Sequence, residues 1–467
     1  MSVAFFAAYA AYAVSRQVTY LTAGYDLGIF DQAVRDYAHF RAPIVALKGE
    51  HYNIFADHFH PIIALIAPLY WIWDSPDVLL IVQAALVAAS IPFVHAFAAR
   101  RIGANAALVV AFAYAAGWAI QAMIDFDFHE IAFALPLLAA ALDALDRKDD
   151  RTLLITCGLL LLVREDMGAV LVMVGILRAL QGGRTRRRAG YWLIGAGVAG
   201  YVVATKVIIP AFAPDEGFAY WTFDALGPNL PRAVLSIIEH PVHAVRLFFT
   251  PSVKAQTLGY LFVPLALTPL RSRYLLVAVP LLAERFFNSR DHLWTTHFHY
   301  NALVWLVLVI AMVDGCQRLG VWPRARLRAL MLVFLAVVPF AMLQWDHVTP
   351  PVFRRMIDGS AWRQTPHSLD QQAAVAQIPR DVCVSVDDRL APQLLNRDRV
   401  TLPTLSTPKT DFYVLDMSQA EVGYPLPSPQ YVLGLAQRDG YRTVFSQGPM
   451  LVLRSPDYAG PSAECRP

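Results

Sequence analysis

Long apolar runs separated by short polar segments fill the first three quarters of the chain. A bilayer core takes about 20 apolar residues wound as a helix. On that ruler the runs predict membrane helices near 2–22, 76–99, 103–123, 131–146, 190–210, 255–270, 274–288, 299–315 and 327–344. A further pair, 151–163 and 167–181, is interrupted by Arg164-Glu165-Asp166. The expectation is therefore a polytopic α-helical membrane protein with about 11 transmembrane helices. The first run, MSVAFFAAYAAYAVS, has neither a basic flank nor a clear cleavage site, so it reads as a short first span and not as a leader. A polar stretch to Asp57 and a shorter apolar piece, HPIIALIAPLYWIW, follow it.

The pattern changes after Trp345. VCVSV at 382–386, RVTLPT at 399–404, DFYVLDM at 411–417 and the 441–454 run have the β-branched, aromatic character of strands. APQLLN and PQYVLGLAQRDG between them read as short helices, which gives a small α/β domain. The predicted division is a transmembrane unit over 1–345, with a first outer loop at 23–60, and a soluble domain over 346–467. The tail has no glycine-rich phosphate loop and no nucleophile elbow, so it reads as a lid, docking or assembly module. No internal repeat or low-complexity tract is visible.

Composition agrees with a membrane chain: 57% of residues are hydrophobic and 16% charged, against about 25% charged in a soluble domain. The net charge of +3 gives no reason to expect nucleic acid as a partner. The placement of the basic residues says more. Arg100 and Arg101, Arg147, Lys148 and Arg151, Arg184 to Arg188, Arg271 and Arg273, and Arg318 to Arg328 fall on one side if each span crosses once and the broken pair goes out and back. Short loops rich in Lys and Arg stay in the cytoplasm. The N-terminus is then inside the plasma membrane, and the tail domain is outside it. The four cysteines form no CxxC pair, and Cys383 and Cys465 are free to pair in an extracytoplasmic tail.

Ionisable groups at membrane depth are costly and mark functional positions, and here they gather on the outer side. The first loop carries Asp26, Asp31, His51, Asp57, His58 and His60, and also Glu50. Its DLGIFDQAVRDYAHF segment is amphipathic at helical spacing, with Leu27, Ile29, Phe30 and Val34 on one side, as in a helix lying on the membrane surface. Asp125, Asp127, His129 and Glu130 fill a second outer loop. Together with His58 and His60, the residues Asp125, His129 and Glu130 have the oxygen and imidazole donors that suit Mg²⁺ or Mn²⁺. Arg164-Glu165-Asp166 must line a cavity or pair internally, and a guanidinium matches phosphate oxygens. Arg285, His297 and His299, near Glu284, complete an outer set of phosphate-binding candidates. The plainer reading of each cluster is a solvated loop or an internal salt-bridge group.

The segment YDLGIFDQAV, followed by DHFHPIIALIAPLYWIW and PDVLLIVQAALVAASIPFVHAFA, resembles the DUF2079 family of predicted membrane proteins. FHE at 128–130, RED at 164–166 and HFHYNALV at 297–304 are similar to later blocks of that family. By architecture the family looks like the GT-C glycosyltransferases. Their pattern of an inside N-terminus, a large first outer loop with an acid near helix one, and a soluble outer C-terminal domain implies Asp26, and after it Asp31, as the catalytic acid. It also implies a polyprenyl-phosphate-linked sugar as donor. Loop one lacks the adjacent acid pair that many such enzymes carry.

These readings converge on transfer of a sugar from a polyprenyl phosphate to a cell-envelope glycan, lipid or protein at the outer surface. Asp26, and after it Asp31, is expected as the base or the metal-positioning acid. Arg164, Glu165, Arg285, His297 and His299 bind substrate or phosphate. Two rivals stand beside it: a transporter or flippase for a lipid or anionic solute, and a non-catalytic membrane scaffold.

Overall fold

The computed structural model describes residues 1–49, 51–213, 221–342, 352–403, 409–418 and 426–461. Glu50, Cys465 and the expected domain boundary at residue 345 lie outside them.

Every predicted membrane segment contains helix among the described residues, but several runs are broken into pieces too short to span a bilayer. Among the described residues four are long and apolar enough to cross a bilayer: Asp77–Ile102, Arg184–Phe212, His299–Arg318 and Ala325–Met342. A fifth exists if Ala104–Ala115 and Trp118–Ile124, bent by 49°, count as one span. The expected number was eleven. The difference has local causes. Gly117 breaks the third run, with a Trp305 ring against its α-carbon. Pro264 and Pro269 sit in short 3₁₀ turns after Ser252–Phe262, and the charged triad separates Asp150–Leu160 from Met167–Leu180. Each break interrupts the backbone ladder that an unbroken span keeps complete.

The helix from His299 to Arg318 is the hub, buried over almost its whole length. Met167–Leu180 and Arg184–Val203 pack most closely. A Cβ on Gly175 would stand 2.7 Å from the Gly190 carbonyl, and one on Gly190 would stand 2.6 Å from the Gly175 carbonyl. Small residues allow this approach, which supplies dispersion contact where lipid provides no hydrophobic drive.

The helical body has two polar ends. At one, Arg100 donates to Asp143 and Asp146, Arg101 to Asp146, Arg147 to Asp143, and Arg318 to Asp314. Tyr274 reaches the same Asp146. The arginine-rich loops therefore have acids of their own, where the sequence pattern pointed to arginines with little else. At the other end, Gln83 donates to the Met123 carbonyl and accepts from the His129 N–H. Gln83 and Arg100 lie on one helix, about 25 Å apart at 1.5 Å per residue. That is close to the thickness of a bilayer core.

The tail forms a five-stranded sheet of order β2-β1-β3-β5-β4. Its strands are β1 (Cys383–Val386), β2 (Arg399–Thr401), β3 (Phe412–Asp416), β4 (Arg442–Gln447) and β5 (Met450–Arg454). β1 runs parallel to β2 and β3, and β5 is antiparallel to β3 and β4. The expected 441–454 strand is this β4–β5 hairpin. Helices Pro366–Val375 and Pro429–Arg438 accompany the sheet, and the stretch expected as an APQLLN helix is a 3₁₀ segment, Asp388–Gln393. One continuous apolar core joins the tail to the helical body. The amphipathic helix Ile29–Ala38 turns Ile29, Phe30 and Val34 into that core, each buried. The expected surface-lying helix is thus a buried strut: it packs on the Pro61–Ile66 and Ala67–Tyr70 turns, and its Phe30 ring meets His60, Phe128 and His129.

The glycine packing gives a test. Gly175→Val should lower thermal stability by about 1–3 kcal/mol, the usual range for overpacking. Gly195→Val, on the same helix pair but with nothing within 4 Å, should leave it near wild type. Thermal unfolding of detergent-purified protein by size-exclusion fluorescence measures both.

Candidate functional site

Asp26 sits in a single wide helical turn, Gly24–Gly28, that links the first helix to Ile29–Ala38. Three contacts hold the turn. The Ala23 N–H donates to Asp127 at 2.7 Å, and the Tyr25 N–H donates to Asp388 of the tail at 2.6 Å. Gly24 lies flat on the tail: a Cβ there would stand 2.6 Å from Ala391. Gly28 has the same constraint against Leu47. The GYDLG segment therefore carries glycine at both ends because Gly24 meets Ala391 and the Asp388 carbonyl, and Gly28 meets the Leu47 and Leu395 side chains.

The Asp26 carboxylate faces His129, with Oδ1 3.6 Å from Nε2. Nδ1 of His129 lies 3.2 Å from the Asp127 carbonyl, which only accepts, so Nδ1 carries the proton and Nε2 presents its lone pair to Asp26. Burial, with the Asp127 and Asp388 charges adding to it, pushes Asp26 well above the ordinary carboxylate range. Burial pushes His129 down to about 4, so its ring is neutral. The two groups together are able to take one proton from a neighbouring hydroxyl.

Rings enclose this pair. His129 stacks on His299 with centroids 3.8 Å apart, and Phe126 stacks against both. Phe30 stands edge-on to His129. His299 is buried, and neither ring nitrogen has a partner. It lines a cavity of about 20 Å³ with Arg164, Glu284, Arg285, Leu293 and Tyr300, room for about one water. Two nitrogens of Arg285 donate to the Leu293 carbonyl at 2.8 and 2.7 Å, and the third, Nη1, is buried without a partner.

Arg164 is fully engaged. It forms a two-pronged pair with Asp166 at 2.7 Å and reaches Glu130 at 3.4 Å and Glu284 at 3.7 Å. Burial raises Glu130, and Arg164 opposes that rise. Glu165 bonds His58 at 2.6 Å and accepts the Phe59 N–H at 3.1 Å. Asp125 is bound by Tyr12 and by Arg355 at 3.0 Å, and Asp127 by Arg16 at 2.8 Å.

The structure thus brings Asp26, His129, His299, Arg285, Arg164 and Glu130 to one end of the fold. It places others apart. Asp31 is fully buried, paired with Arg35 at 3.0 Å and bonded by Tyr70 at 2.7 Å. His297 is exposed. His60 is buried between Phe30 and Phe55 with Nδ1 unpartnered, and burial lowers it to about 4. The five expected metal donors do not gather: Asp125 goes to arginines, His58 to Glu165, Glu130 to Arg164, His129 to Asp26, and His60 to phenyl rings. Among the described residues no three His, Cys, Asp or Glu side chains form a metal-binding group.

Sequence reasoning missed Arg16, Gln83, Arg355 and Asp388, which build the frame around Asp26. Arg16 and Gln83 had a legible signal, a polar residue inside an apolar run. Arg355 and Asp388 had none, because only the docking of the tail brings them to the site.

The family described as "Predicted membrane protein (DUF2079)" matches residues 16–436. The chain belongs to this family. Among solved structures this DUF2079 protein is similar to "ArnT from Cupriavidus metallidurans bound to Undecaprenyl phosphate", with a TM-score of 0.59. The match covers 98% of this chain and 99% of that one at 13% identity. The likeness is one of fold: this DUF2079 chain has an ArnT-like fold. No curated protein matches it.

The His58–Glu165 pair gives a pH prediction. Burial disfavours the imidazolium, but Glu165 outweighs it and holds His58 up at about 9, against about 6.5 unfolded. The pair's contribution is then complete below pH 6.5 and lost as pH rises through 9. The difference in melting temperature between wild type and His58→Gln should shrink from pH 6 to pH 10. A difference that is flat or grows with pH would show that the pair is not ionic.

Proposed function

We propose that this protein is a membrane glycosyltransferase that moves a sugar from a polyprenyl-phosphate donor to an acceptor hydroxyl at the outer face of the plasma membrane. The observation that carries it is the Asp26–His129 pair, 3.6 Å apart beside a buried cavity with an unpartnered guanidinium nitrogen. The ArnT-like fold and the lipid phosphate named with that neighbour favour this donor class.

In this reading Asp26 is the general base, with His129 Nε2 as its proton-sharing partner. The acceptor oxygen loses its proton to the pair and bonds to the sugar's C1. The bond from C1 to the phosphate oxygen breaks, and its electron pair leaves with the polyprenyl phosphate. Arg285 Nη1 neutralises the departing phosphate. Arg164 holds Glu130, Asp166 and Glu284 in place, its donors being occupied. A cavity the size of one water is too small for a phosphate, so the segment anchored by Leu293 swings aside when donor enters. The dispersed donors give no fit for a divalent cation, and no step runs through one. A raised pKa suits Asp26, since a base works best near the operating pH.

The proposal includes an orientation. The arginine end faces the cytoplasm, and the tail lies outside. A disulfide at Cys383 agrees with an oxidising compartment. The acceptor is a cell-envelope glycan, lipid or protein.

Asp26→Asn should lower transfer by about 10²–10⁴-fold with unchanged membrane insertion, read by sugar incorporation in proteoliposomes loaded with polyprenyl-phosphate sugar. The residual wild-type rate should climb with pH through a midpoint above the ordinary carboxylate range. Wild-type transfer by Asp26→Asn would remove Asp26 from the mechanism. Movement of labelled lipid across the bilayer without transfer would favour a flippase.

A further inference from the structure

A second, much larger cavity of about 370 Å³ opens between the end of the first helix and the tail domain. Its walls include Tyr20, Arg363, His367, Gln371, Asp388 and Arg389. The volume falls within the usual range of small-ligand sites, roughly 300–1,000 Å³. Unlike the donor cavity it is open to the outer side, where Arg363 and Arg389 are exposed.

Three observations mark it as a site. First, Arg363 and Arg389 have no ion-pair partner among the described residues, whereas Arg16, Arg164, Arg355 and Arg397 at this end are all paired. Arg389 is near enough to Asp388 and Asp127 to favour their charged forms, yet it bonds neither. Second, the walls are fixed. His367 Nε2 is 2.8 Å from the fully buried Asp416, and the buried Gln371 sits on the capped helix Pro366–Val375. Third, the cavity adjoins the chemistry. Asp388 lines it and also accepts the N–H of Tyr25, the residue before Asp26.

We propose that this cavity binds an oxyanion, phosphate or carboxylate, between Arg363 and Arg389. Resting on the transferase reading, that oxyanion belongs to the acceptor, and its binding places the acceptor hydroxyl over the Gly24–Gly28 turn. Guanidinium forks match such groups in two-point fashion. The shared chemistry has two sources, an anionic lipid headgroup or a soluble oxyanion.

The test measures binding of radiolabelled inorganic phosphate to full-length protein in phosphatidylcholine nanodiscs. It uses the Arg285→Gln background, which silences the donor cavity. Saturable binding at one site per chain is expected, weakened at least tenfold by adding R363Q and R389Q, two exposed positions where folding should be unaffected. Size-exclusion monodispersity checks that. Replacing part of the lipid with phosphatidylglycerol separates the sources: competition identifies a headgroup, and unchanged binding identifies a soluble oxyanion. No saturable binding, or equal binding without the two arginines, overturns the proposal. Phosphate held by Arg363 and Arg389 in a wild-type protein that transfers no sugar overturns the transferase reading and leaves the site standing.

Discussion

Arg16 lies buried in the last turn of the first helix, donating to Asp127 at 2.8 Å and to the Leu21 carbonyl at 3.0 Å. Asp125 lies 4.0 Å from its Nε. Around this guanidinium one polar end of the fold is assembled. Asp127 uses its other oxygen for the Ala23 N–H, which sets where the Gly24–Gly28 turn begins. Asp125 takes Arg355 from the segment that enters the tail. One buried cation thus ties together the first helix, the 125–130 loop and the tail domain. Losing one partner of such a buried pair typically costs about 3–5 kcal/mol, mostly because the other charge is stranded. The same anchoring sets His129 opposite Asp26, since His129 follows Asp127 by two residues and bonds its carbonyl.

Charge at this end is graded and not uniform. Asp125, Asp127, Glu165 and Asp166 each have a cation and are structural. Asp26 faces the neutral His129 imidazole among the described residues, and burial raises its pKa although Arg16 and Lys48 act against that rise. Among the cations, Arg164 has a partner at each nitrogen and Arg16 at both terminal nitrogens, while Arg285 keeps Nη1 unbonded. Groups with unspent hydrogen-bonding capacity in a water-poor place are costly to keep. Their coincidence beside one cavity separates a reactive centre from the salt-bridge frame around it.

Much of this was legible in the sequence. The alternation of apolar runs and polar breaks located helices of the body, of which four among the described residues are long and apolar enough to cross a bilayer, and period-two stretches located the strands of the tail. Asp26, His129, Arg164 and Arg285 were visible as ionisable groups at the ends of apolar runs. What the pattern could not show was partnership. Asp31 and Asp26 sit on the same amphipathic stretch, yet Arg35, one turn away, and Tyr70 neutralise the first, while the second is held open by tail residues more than 360 positions distant. Metal donors that looked adjacent in sequence point to separate partners. Helix length was overread because apolar composition persists through Gly117, Pro264 and Pro269, where the backbone ladder breaks.

In the proposed transferase a lipid-linked phosphate binds beside the Asp26–His129 pair, against Arg285. The most direct measurement is an electron cryomicroscopy map of the full-length protein in nanodiscs with undecaprenyl phosphate. Phosphate density is expected within hydrogen-bond distance of Arg285 Nη1, with the 291–299 segment displaced and the Gly24–Gly28 turn unmoved. Phosphate density remote from Arg285, with the Leu293 contacts intact, would contradict it.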